Sequence, residues 1–307
     1  MRIARTLESF PPDARPSVVA LGVFDGVHRG HRGILDTAVR RARANGGTPV
    51  ACTFDPHPME ILQPERAPLP ITTLDERLEL IAETGIALTV LIPFTAVLAS
   101  MEPEAFVTDV LGARLGAREV VVGFNHRFGR AARGDAALLR DVGGRIGLHA
   151  EIVPPMDIGG TPVSSSAIRA ALQRGDLAAA NAMLGRPYFL AGEVVTGNRR
   201  GRTIGFPTAN VRSERPVLVP PGVYACRLAI DGTAHPAVLN AGVRPTFGET
   251  VFTLEAHVLD FSGDLYGRRV RLDLVERLRE ERKFEGADAL VAQIARDVAA
   301  ARAALGA

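Results

Sequence analysis

The chain has 307 residues, of which 47% are hydrophobic, enough for two domains that each bury a core. Its 36 basic and 34 acidic residues leave a formal charge of +2, and no long run of one sign would follow a nucleic-acid backbone. Lys283 is the only lysine, so a Walker A loop or a catalytic Schiff base has almost no candidate. Cys52 and Cys226 lie far apart without metal-ligand spacing, which indicates neither a disulfide nor a metal framework.

The N-terminal residues lack the charged start and apolar core of a signal peptide. The longest apolar stretch, residues 88–101, is short for a membrane span and contains Pro93. We therefore expect a cytoplasmic protein in a reducing compartment, with no nucleic-acid or membrane partner. The sequence leaves the oligomeric state open, a homo-oligomer included.

The first half of the chain alternates short apolar runs with helical periodicity. Four runs are typical of buried strands: residues 18–22, 49–54, 88–94 and 119–123. Apolar residues at three- and four-residue steps predict helices over 34–42, 75–83 and 102–115. This alternation predicts an α/β fold with a doubly wound parallel sheet, in which ligands bind beyond the carboxyl ends of the strands. The loops after Gly22, Phe54 and Gly123 are therefore where a site is expected.

The second half changes character after two short helices, predicted over 166–174 and 176–184, because Pro187 ends the helical pattern. We place a domain boundary here, with one domain over residues 1–185 and another over 186–307. Strands are predicted over 191–195, 223–230, 234–240, 253–258 and 270–278, separated by Gly- and Pro-rich turns. They predict a small antiparallel β-barrel. A C-terminal helix is expected to pack on it through one stripe: Leu290, Ile294, Val298 and Ala301.

A glycine-rich turn with two histidines follows the first predicted strand. It runs over residues 22–31 and places His28, Gly30 and His31 just before a helix predicted to begin near residue 32. The N–H groups and dipole of a helix start favour an anion, and imidazoles add charge-assisted hydrogen bonds to phosphate. Gly30 lets a phosphate approach the backbone closely. For two nearby histidines alone, a surface position or zinc binding is the commoner explanation, but the strand-to-helix position favours phosphate.

This turn resembles the His-x-Gly-His signature of the nucleotidyltransferase superfamily. Members of that superfamily transfer the adenylyl group of ATP by in-line attack on the α-phosphate, so the protein has only to position groups and neutralise charge. The resemblance implies that His28 and His31 are catalytic and that Gly22, Phe24 and Gly30 bind ATP.

The second signature of the superfamily is similar to residues 164–169, just before a predicted short helix. A run of serines before a helix is more often a simple N-cap. Beside the first motif, the resemblance implies that four residues bind the triphosphate of ATP: Ser164, Ser165, Ser166 and Arg169.

The loop after the fourth predicted strand extends the resemblance. Residues 123–129 and the earlier 54–58 are similar to those of bacterial FAD synthetases. The resemblance implies that Asn125 contacts the nucleotide and that Phe128 lines the flavin site. The chain departs from the common family pattern at Asn125 and His126, where an acidic residue and an aromatic are usual, and at Ser166, where Thr is usual. Replacing a carboxylate by an amide removes a charge, which leaves open whether position 125 binds a metal directly.

In the second domain, residues 201–210 concentrate glycine, proline, a hydroxyl and an amide in a stretch too rigid and polar for an ordinary strand. On an extended backbone the side chains of Thr208 and Asn210 point the same way, which suits Mg²⁺ held together with substrate phosphates. A simple turn explains the stretch equally well. The stretch resembles the riboflavin kinase signature, with further matches at 222–224, 240–246 and 279–284. The resemblance implies that three more residues bind ATP: Gly201, Gly205 and Pro207.

Strand alternation at 253–258 places Glu255 and His257 on one face, toward a polar interior or solvent. A strand glutamate is more often simply solvated. The resemblance to riboflavin kinases implies instead that Glu255 is the general base on the ribityl 5′-hydroxyl, since phosphoryl transfer needs an oriented nucleophile whose proton is accepted. His257 is interpreted as structural. By the same resemblance, Arg279 is expected to bind flavin.

As a whole, the chain resembles a bifunctional FAD synthetase. The resemblance implies that it phosphorylates riboflavin to FMN with ATP, and then transfers AMP from a second ATP to FMN to give FAD and pyrophosphate, with Mg²⁺ in both steps. Its partners are then small molecules. The alternatives are a nucleotidyltransferase for another acceptor with a degenerate second domain, and a flavin-binding regulator without turnover. Retention of Thr208, Asn210 and Glu255 argues against the first, and retention of His28, His31 and Glu255 argues against the second.

Overall fold

The computed structural model of the chain describes residues 1–197, 205–246 and 249–307, excluding the side chains of 244–246 and 249–251. These residues form two compact units, Met1–Ser165 and Ser166–Ala307. Within the described ranges, no helix is both long enough and apolar enough to cross a membrane. The boundary predicted after residue 185 falls inside the second unit and stays a prediction about where the chain can be cut.

Six parallel strands form the sheet of the first unit: β1 (Arg2–Ala4), β2 (Ser17–Leu21), β3 (Thr48–Asp55), β4 (Leu88–Pro93), β5 (Ala117–Gly123) and β6 (His149–Val153). Their order across the sheet is β1-β4-β3-β2-β5-β6, and every neighbouring pair is parallel. The direction of winding therefore reverses between β2 and β5, which is the switch point where such sheets bind ligands. The predicted doubly wound parallel sheet is confirmed.

The first unit also contains a two-stranded hairpin and six helices. The hairpin pairs β7 (Asp157–Ile158) with β8 (Thr161–Pro162). The helices are α1 (Arg29–Asn45), α2 (Pro58–Leu62), α3 (Leu74–Ala82), α4 (Ala96–Ala99), α5 (Pro103–Ala105), which continues as π-helical turns over Phe106–Arg114, and α6 (Ala136–Arg145). Because the inner strands are buried on both faces, they consist of continuous apolar runs, in which Val19, Val50 and Val120 have no exposed surface.

Helix α1 begins at Arg29, earlier than the predicted start near residue 32. His28 is its N-cap, because Nδ1 of its side chain accepts a hydrogen bond from the backbone N–H of His31 at 3.2 Å. The residues usual at an N-cap are Ser, Thr, Asp and Asn. Because His is not one of them, the sequence pattern did not indicate that the helix begins at Arg29. Both histidines consequently belong to the start of α1 itself.

Six antiparallel strands close the second unit into a barrel: β9 (Tyr188–Val195), β10 (Ala209–Ser213), β11 (Gly222–Ile230), β12 (Thr233–Thr246), β13 (Glu249–Val258) and β14 (Arg269–Glu280). Their order is β10-β13-β12-β11-β14-β9, and β9 pairs back with β10. The predicted barrel is confirmed. The interpretation of 201–210 as unlike a strand is wrong at its end, because Ala209 and Asn210 begin β10, with Ala209 and Val211 buried.

In the described part of the second unit, three helices accompany the barrel: α7 (Ser165–Gln173), α8 (Leu177–Leu184) and α9 (Ala287–Leu305). The amide of Asn181 on α8 donates to the Leu274 carbonyl at 3.0 Å and accepts from the Tyr188 N–H at 2.7 Å. These bonds explain why α8 belongs to the second unit. Helix α9 packs outside β11, β12 and β14, where Ala301 joins a buried apolar cluster with Val223, so the predicted C-terminal helix is confirmed.

Candidate active sites

A cavity of about 500 Å³, the switch-point cavity, lies at the carboxyl end of the first sheet. Its walls come from the loops after β2, β5 and β6 and from the first turn of α1. The structure therefore gathers loops from both sides of the winding reversal, where ligands bind in this fold. The lining includes eight residues singled out in the sequence: Gly22, Phe24, His28, Gly30, His31, Asn125, Ser164 and Ser165.

His28 and His31 stack on each other in the wall of this cavity. Their ring centroids are 3.5 Å apart and the ring planes differ by 17°. Because Nδ1 of His28 accepts the capping hydrogen bond, a neutral His28 ring carries its proton on Nε2. Phe24 packs edge-on against His31 at 5.3 Å, and a Cβ at Gly30 would approach the His28 ring to 3.2 Å. The pair is thus held at the positive end of α1, where an anion is stabilised.

The loop between β2 and α1 is strained. φ is +56° at Phe24 and +38° at Val27, in the left-handed region that a β-branched residue rarely adopts. Both side chains are fully buried. Gly26, at φ +81°, lies so close to Ile71 that an added Cβ would come within 3.0 Å of a methyl group. Such a backbone persists only where its surroundings hold it firmly.

The Asp25 carboxylate connects this loop to the segment just before α3 by hydrogen bonds. It accepts hydrogen bonds from the N–H groups of Ile71 and Thr72, each at 3.0 Å, and from the Thr72 hydroxyl at 3.1 Å. That hydroxyl accepts in turn from the N–H of Gly26 at 3.1 Å. The Asp25 carbonyl accepts from the Ser165 hydroxyl at 3.1 Å. A serine expected to bind ATP therefore also fastens the histidine loop.

Arg77, on α3, connects the loops that follow β2 and β3. Its guanidinium donates to the carbonyl oxygens of Val23 at 2.9 Å and Phe54 at 3.2 Å, and it lies 4.0 Å from the Asp55 carboxylate. Burial lowers the pKa of the Arg77 guanidinium, and the charges of Asp25 and Asp55 oppose this shift. The sequence analysis did not identify this connecting role of Arg77, because the hydrogen-bond acceptors lie 23 and 54 residues away in the chain.

Arg77→Leu is expected to destabilise the first unit by about 2–4 kcal/mol, because two buried carbonyls lose their donor and Asp55 loses its cation. The matched control is Arg32→Leu. Arg32 pairs with Glu83 at 2.7 Å, but both side chains are partly exposed, so the change in stability should stay below about 1 kcal/mol. Urea unfolding followed by circular dichroism measures both. Equal stability of the two variants would contradict the bracing role.

A second cavity of the first unit, the apolar cavity, has a volume of about 630 Å³. It shares Val23, His126 and Arg127 with the switch-point cavity. Phe128, expected at the flavin site, lines it and packs on Phe106 with ring centroids 5.8 Å apart. Further apolar walls come from Phe54, Leu62, Phe94 and Leu98. Such walls suit an aromatic ligand.

Described residues of the second unit line two further cavities, of about 610 and 330 Å³. The larger barrel cavity is lined by Pro207 and by parts of β9, β10 and β13. The smaller barrel cavity lies between the outer face of the barrel and α9, with Glu255 and Arg279 in its wall. Among the described residues, Thr208 lines both. The two cavities therefore adjoin at Thr208.

Glu255 lies on β13 directly opposite Asn210 of β10 and Asn240 of β12. Residues opposite each other in antiparallel strands project to the same face, so a carboxylate and two amides form one polar row. The neighbours Leu254 and Ala256 are buried on the other face. Strand alternation predicted that Glu255 faces away from these apolar neighbours, but it did not predict the row with the two amides. Residues of α9 line the cavity together with Glu255.

His257, further along the same strand face, fastens the turn before β10. Its Nδ1 lies 2.8 Å from the Pro207 carbonyl oxygen. Since a carbonyl only accepts, Nδ1 carries the proton. The ring also packs edge-on against Phe206 at 5.4 Å. His257 therefore positions the turn that carries Thr208, in line with its structural interpretation.

Arg279 is paired with a carboxylate of α9 in the wall of the smaller barrel cavity. Its Nε and one terminal nitrogen donate to Asp297 at 2.9 and 2.8 Å. Asp297 is buried and also accepts from Gln293 at 2.7 Å. The Phe284 ring centroid lies 5.7 Å from the guanidinium carbon. The charge of Arg279 is thus compensated by Asp297.

Thr208 and Asn210 offer a hydroxyl and an amide oxygen to a metal. Asn210 lies against the backbone of Gly197, where an added Cβ would collide with the amide, so the Asn210 side chain is closely confined. No group of three or more His, Cys, Asp or Glu side chains that could hold a metal occurs in the described part of the chain. Mg²⁺ in phosphate-transfer sites takes few protein ligands and completes its shell with phosphate oxygens and water. The residues fit Mg²⁺ that arrives with a nucleotide.

Four further residues were expected from the sequence to bind ATP: Ser166, Arg169, Gly201 and Gly205. Ser166 and Arg169 lie on α7 in the second unit. Gly205, at φ +88°, is exposed, and no atom of the described residues other than its chain neighbours lies within 4 Å of an added Cβ. Gly201 lies outside the described residues. Their roles in ATP binding stay predictions.

A doubly wound parallel sheet with a histidine pair at its switch point, followed by a closed antiparallel barrel, is the architecture of a two-unit transferase. Two family models match the chain: FAD synthetase over residues 10–167 and riboflavin kinase over residues 184–305. The chain belongs to the family of bifunctional riboflavin kinase/FMN adenylyltransferases. The two matches support both a kinase and an adenylyltransferase activity.

Relatives from several bacteria match nearly the whole chain. The bifunctional riboflavin kinase/FMN adenylyltransferase of Escherichia coli (strain K12) is 38% identical over 93% of this chain and 91% of that protein. The protein of the same name from Bacillus subtilis (strain 168) is 38% identical over 92% and 90%. A crystal structure described as a macrolide-efflux protein from Streptococcus pneumoniae has a TM-score of 0.90 at 31% identity and covers 98% of both chains. The shared fold thus extends over the full chain, although that description differs from the other names.

Proposed function

We propose that this chain makes FAD from riboflavin in two ATP-dependent steps, one in each unit. The second unit transfers the γ-phosphoryl group of ATP to riboflavin, giving FMN and ADP. The first unit transfers the adenylyl group of another ATP to FMN, giving FAD and pyrophosphate. The observation that carries the proposal is that each unit has two adjoining cavities with polar side chains at the shared wall: His126 and Arg127 in the first, and Thr208 in the second.

For the kinase step, ATP occupies the larger barrel cavity and riboflavin the smaller one. The ribityl 5′-oxygen attacks the γ-phosphorus, Glu255 accepts the hydroxyl proton, and the bond between the γ-phosphorus and the leaving ADP oxygen breaks. The placement of Glu255 in the wall of the smaller barrel cavity supports this role. Riboflavin is held by the surrounding apolar side chains and by packing on Arg279.

Mg²⁺ is assigned to Thr208 and Asn210, together with the phosphates of ATP. When bound, the ion neutralises phosphate charge. The support is that Thr208 lines both barrel cavities and that Gly197 confines the Asn210 amide. His257 keeps the Thr208 turn in place through the Pro207 carbonyl.

For the adenylyl step, ATP occupies the switch-point cavity with its phosphates at the start of α1, and the FMN ring occupies the apolar cavity. An oxygen of the FMN phosphate attacks the α-phosphorus, and the bond to pyrophosphate breaks without a covalent enzyme intermediate. His28 and His31 hydrogen-bond the phosphate oxygens on which charge accumulates. Asn125 and the serines of the second signature contact the nucleotide.

We also assign the protein to the reducing cytoplasm. Cys52 and Cys226 are free thiols that are fully buried. Burial raises the pKa of the Cys52 thiol to about 12 and also raises that of Cys226. Unpaired cysteines in a two-unit metabolic enzyme are typical of a reducing compartment.

The test is to incubate the purified chain with riboflavin, ATP and Mg²⁺ and to resolve flavins by chromatography. We expect FMN to appear first and FAD to follow. FAD formed only from supplied FMN would reduce the second unit to a degenerate domain. Flavin bound without any conversion would indicate a regulator.

A fragment that begins at Ser166 is expected to fold and to make FMN, because the kinase cavities lie within the second unit. A fragment that begins near Arg186 should also make FMN but should be less stable, by about 1–3 kcal/mol, since it lacks the two Asn181 hydrogen bonds to the barrel. Chromatographic assays and urea unfolding of both fragments measure this. A folded fragment without kinase activity would show that the second site is not self-sufficient.

A further inference from the structure

His126 lies at the wall shared by the two cavities of the first unit, and the adenylyl step described above assigns it no contact with a substrate. It lies in the loop after β5 and lines both the switch-point cavity and the apolar cavity. Two other described residues also line both cavities, Val23 and Arg127. Val23 is apolar, and Arg127 is exposed and pairs with Asp135 at 3.5 Å. Of these three, His126 is therefore the half-buried polar side chain at the wall where the two cavities meet.

The Nε2 atom of His126 is buried and has no hydrogen-bond partner among the described residues. A buried polar atom without a partner is costly, and native proteins leave such an atom chiefly where a ligand or a water completes it. The ring stacks on Phe128, with centroids 5.8 Å apart and planes 20° apart, which fixes its orientation. Burial lowers the pKa of His126 to about 4, so near neutral pH the ring offers a hydrogen bond and no fixed charge.

Both cavities favour an anion near this wall. None of the described residues that line either cavity is Asp or Glu. The switch-point cavity contributes His28 and His31, the apolar cavity contributes His57, and Arg127 belongs to both. An N–H donor placed among these groups suits a phosphate.

We propose that Nε2–H of His126 donates a hydrogen bond to the phosphate of FMN and thereby selects FMN over flavins that lack a phosphate. The proposal rests on the proposed function of the first unit. The flavin ring lies in the apolar cavity and ATP lies in the switch-point cavity. The FMN phosphate therefore has to lie beside the shared wall in order to reach the α-phosphorus. The phosphates of ATP receive hydrogen bonds from His28 and His31 at the start of α1. The FMN phosphate is therefore the group to which His126 donates.

His126→Phe is the first test, because it keeps an aromatic ring that can stack on Phe128 and removes both nitrogens. In FAD formation from supplied FMN, the KM for FMN should rise about tenfold or more, the loss expected for a hydrogen bond to a charged group. The KM for ATP should change less than about twofold, since ATP has other partners. Lumiflavin, which has the flavin ring without ribityl chain or phosphate, should inhibit the variant and the wild type with equal inhibition constants.

His126→Gln and His126→Asn form a matched pair that reports on the position of the donor. A Gln amide can reach the place of Nε2, whereas the shorter Asn amide cannot. We therefore expect Gln to recover most of the affinity for FMN and Asn to resemble Phe. Since both variants are polar and similar in size, this comparison also decides the matter if His126→Phe fails to fold.

An unchanged KM for FMN in His126→Phe would overturn the proposal, and so would an equal rise in the KM for ATP or in the lumiflavin inhibition constant. Equal KM values for FMN in the Gln and Asn variants would overturn it as well. Failure of the wild-type chain to make FAD from FMN is a different result, because it would remove the proposed function and, with it, the phosphate that His126 is proposed to bind.

Discussion

Glu255→Gln is expected to slow the formation of FMN from riboflavin by about 10² to 10⁴-fold, because the amide keeps the size of the side chain and can no longer accept the hydroxyl proton. Riboflavin and ATP should still bind, since the cavity walls are unchanged. Formation of FAD from supplied FMN should stay near the wild-type rate, because that step uses the first unit. Two time courses, one started with riboflavin and one with FMN, measure both steps.

Glu193→Gln is the matched control for this change. Glu193 is also a barrel-strand glutamate, but its carboxylate forms an exposed ion pair with Arg212 at 2.6 Å. Both reactions should proceed normally in this variant. If Glu255→Gln phosphorylates riboflavin nearly as fast as the wild type, Glu255 is not the base and is only a polar residue of the cavity wall.

The inner strands of the first sheet could be predicted because burial on both faces gives them continuous apolar runs. The edge strands lack that signal. Strand β1 has three residues, two of them exposed, and β6 has a single buried residue. Neither strand shows a run or a clear alternation, so their place in the sheet follows only from pairing with β4 and β5.

Strand β10 was missed for another reason. Gly205 and Pro207, just before it, are turn signals, and Asn210 is uncommon in strands. The strand is defined instead by its pairing with β9 and β13. This long-range pairing places Asn210 opposite Glu255. Strand pairing therefore overrides the low strand propensity of Asn210, at a position where we propose a functional role.

The residues expected to carry the chemistry could be found from the sequence, whereas those that hold them in place could not. A histidine pair at a strand-to-helix turn stands out by type and spacing. Asp25 and Arg77 act through partners far away in the chain, and no local pattern marks such contacts. Arg279 was singled out, but its partner Asp297 lies on α9, whose sequence shows only an apolar stripe.

His28→Ala and His31→Ala are each expected to slow FAD formation from FMN by roughly 10²-fold or more, because each removes one preorganised donor to the transferring phosphates. Formation of FMN from riboflavin should be nearly unchanged in both variants, since it takes place in the second unit. Steady-state rates of the two reactions measure this. Equal loss of both activities would show that the histidines support the fold rather than the chemistry.

The two histidine variants should differ in stability, because Nδ1 of His28 also caps α1. His28→Ala should lose about 1 kcal/mol that His31→Ala keeps, the usual worth of an N-cap. His28→Asn separates the two roles of His28. An Asn side-chain oxygen is a favoured N-cap acceptor and should restore stability in urea unfolding. The shorter amide places no N–H where the imidazole has Nε2–H, so FAD formation should stay slow in His28→Asn. Full activity of His28→Asn would show that the His28 imidazole takes no part in the chemistry and serves only as the N-cap of α1.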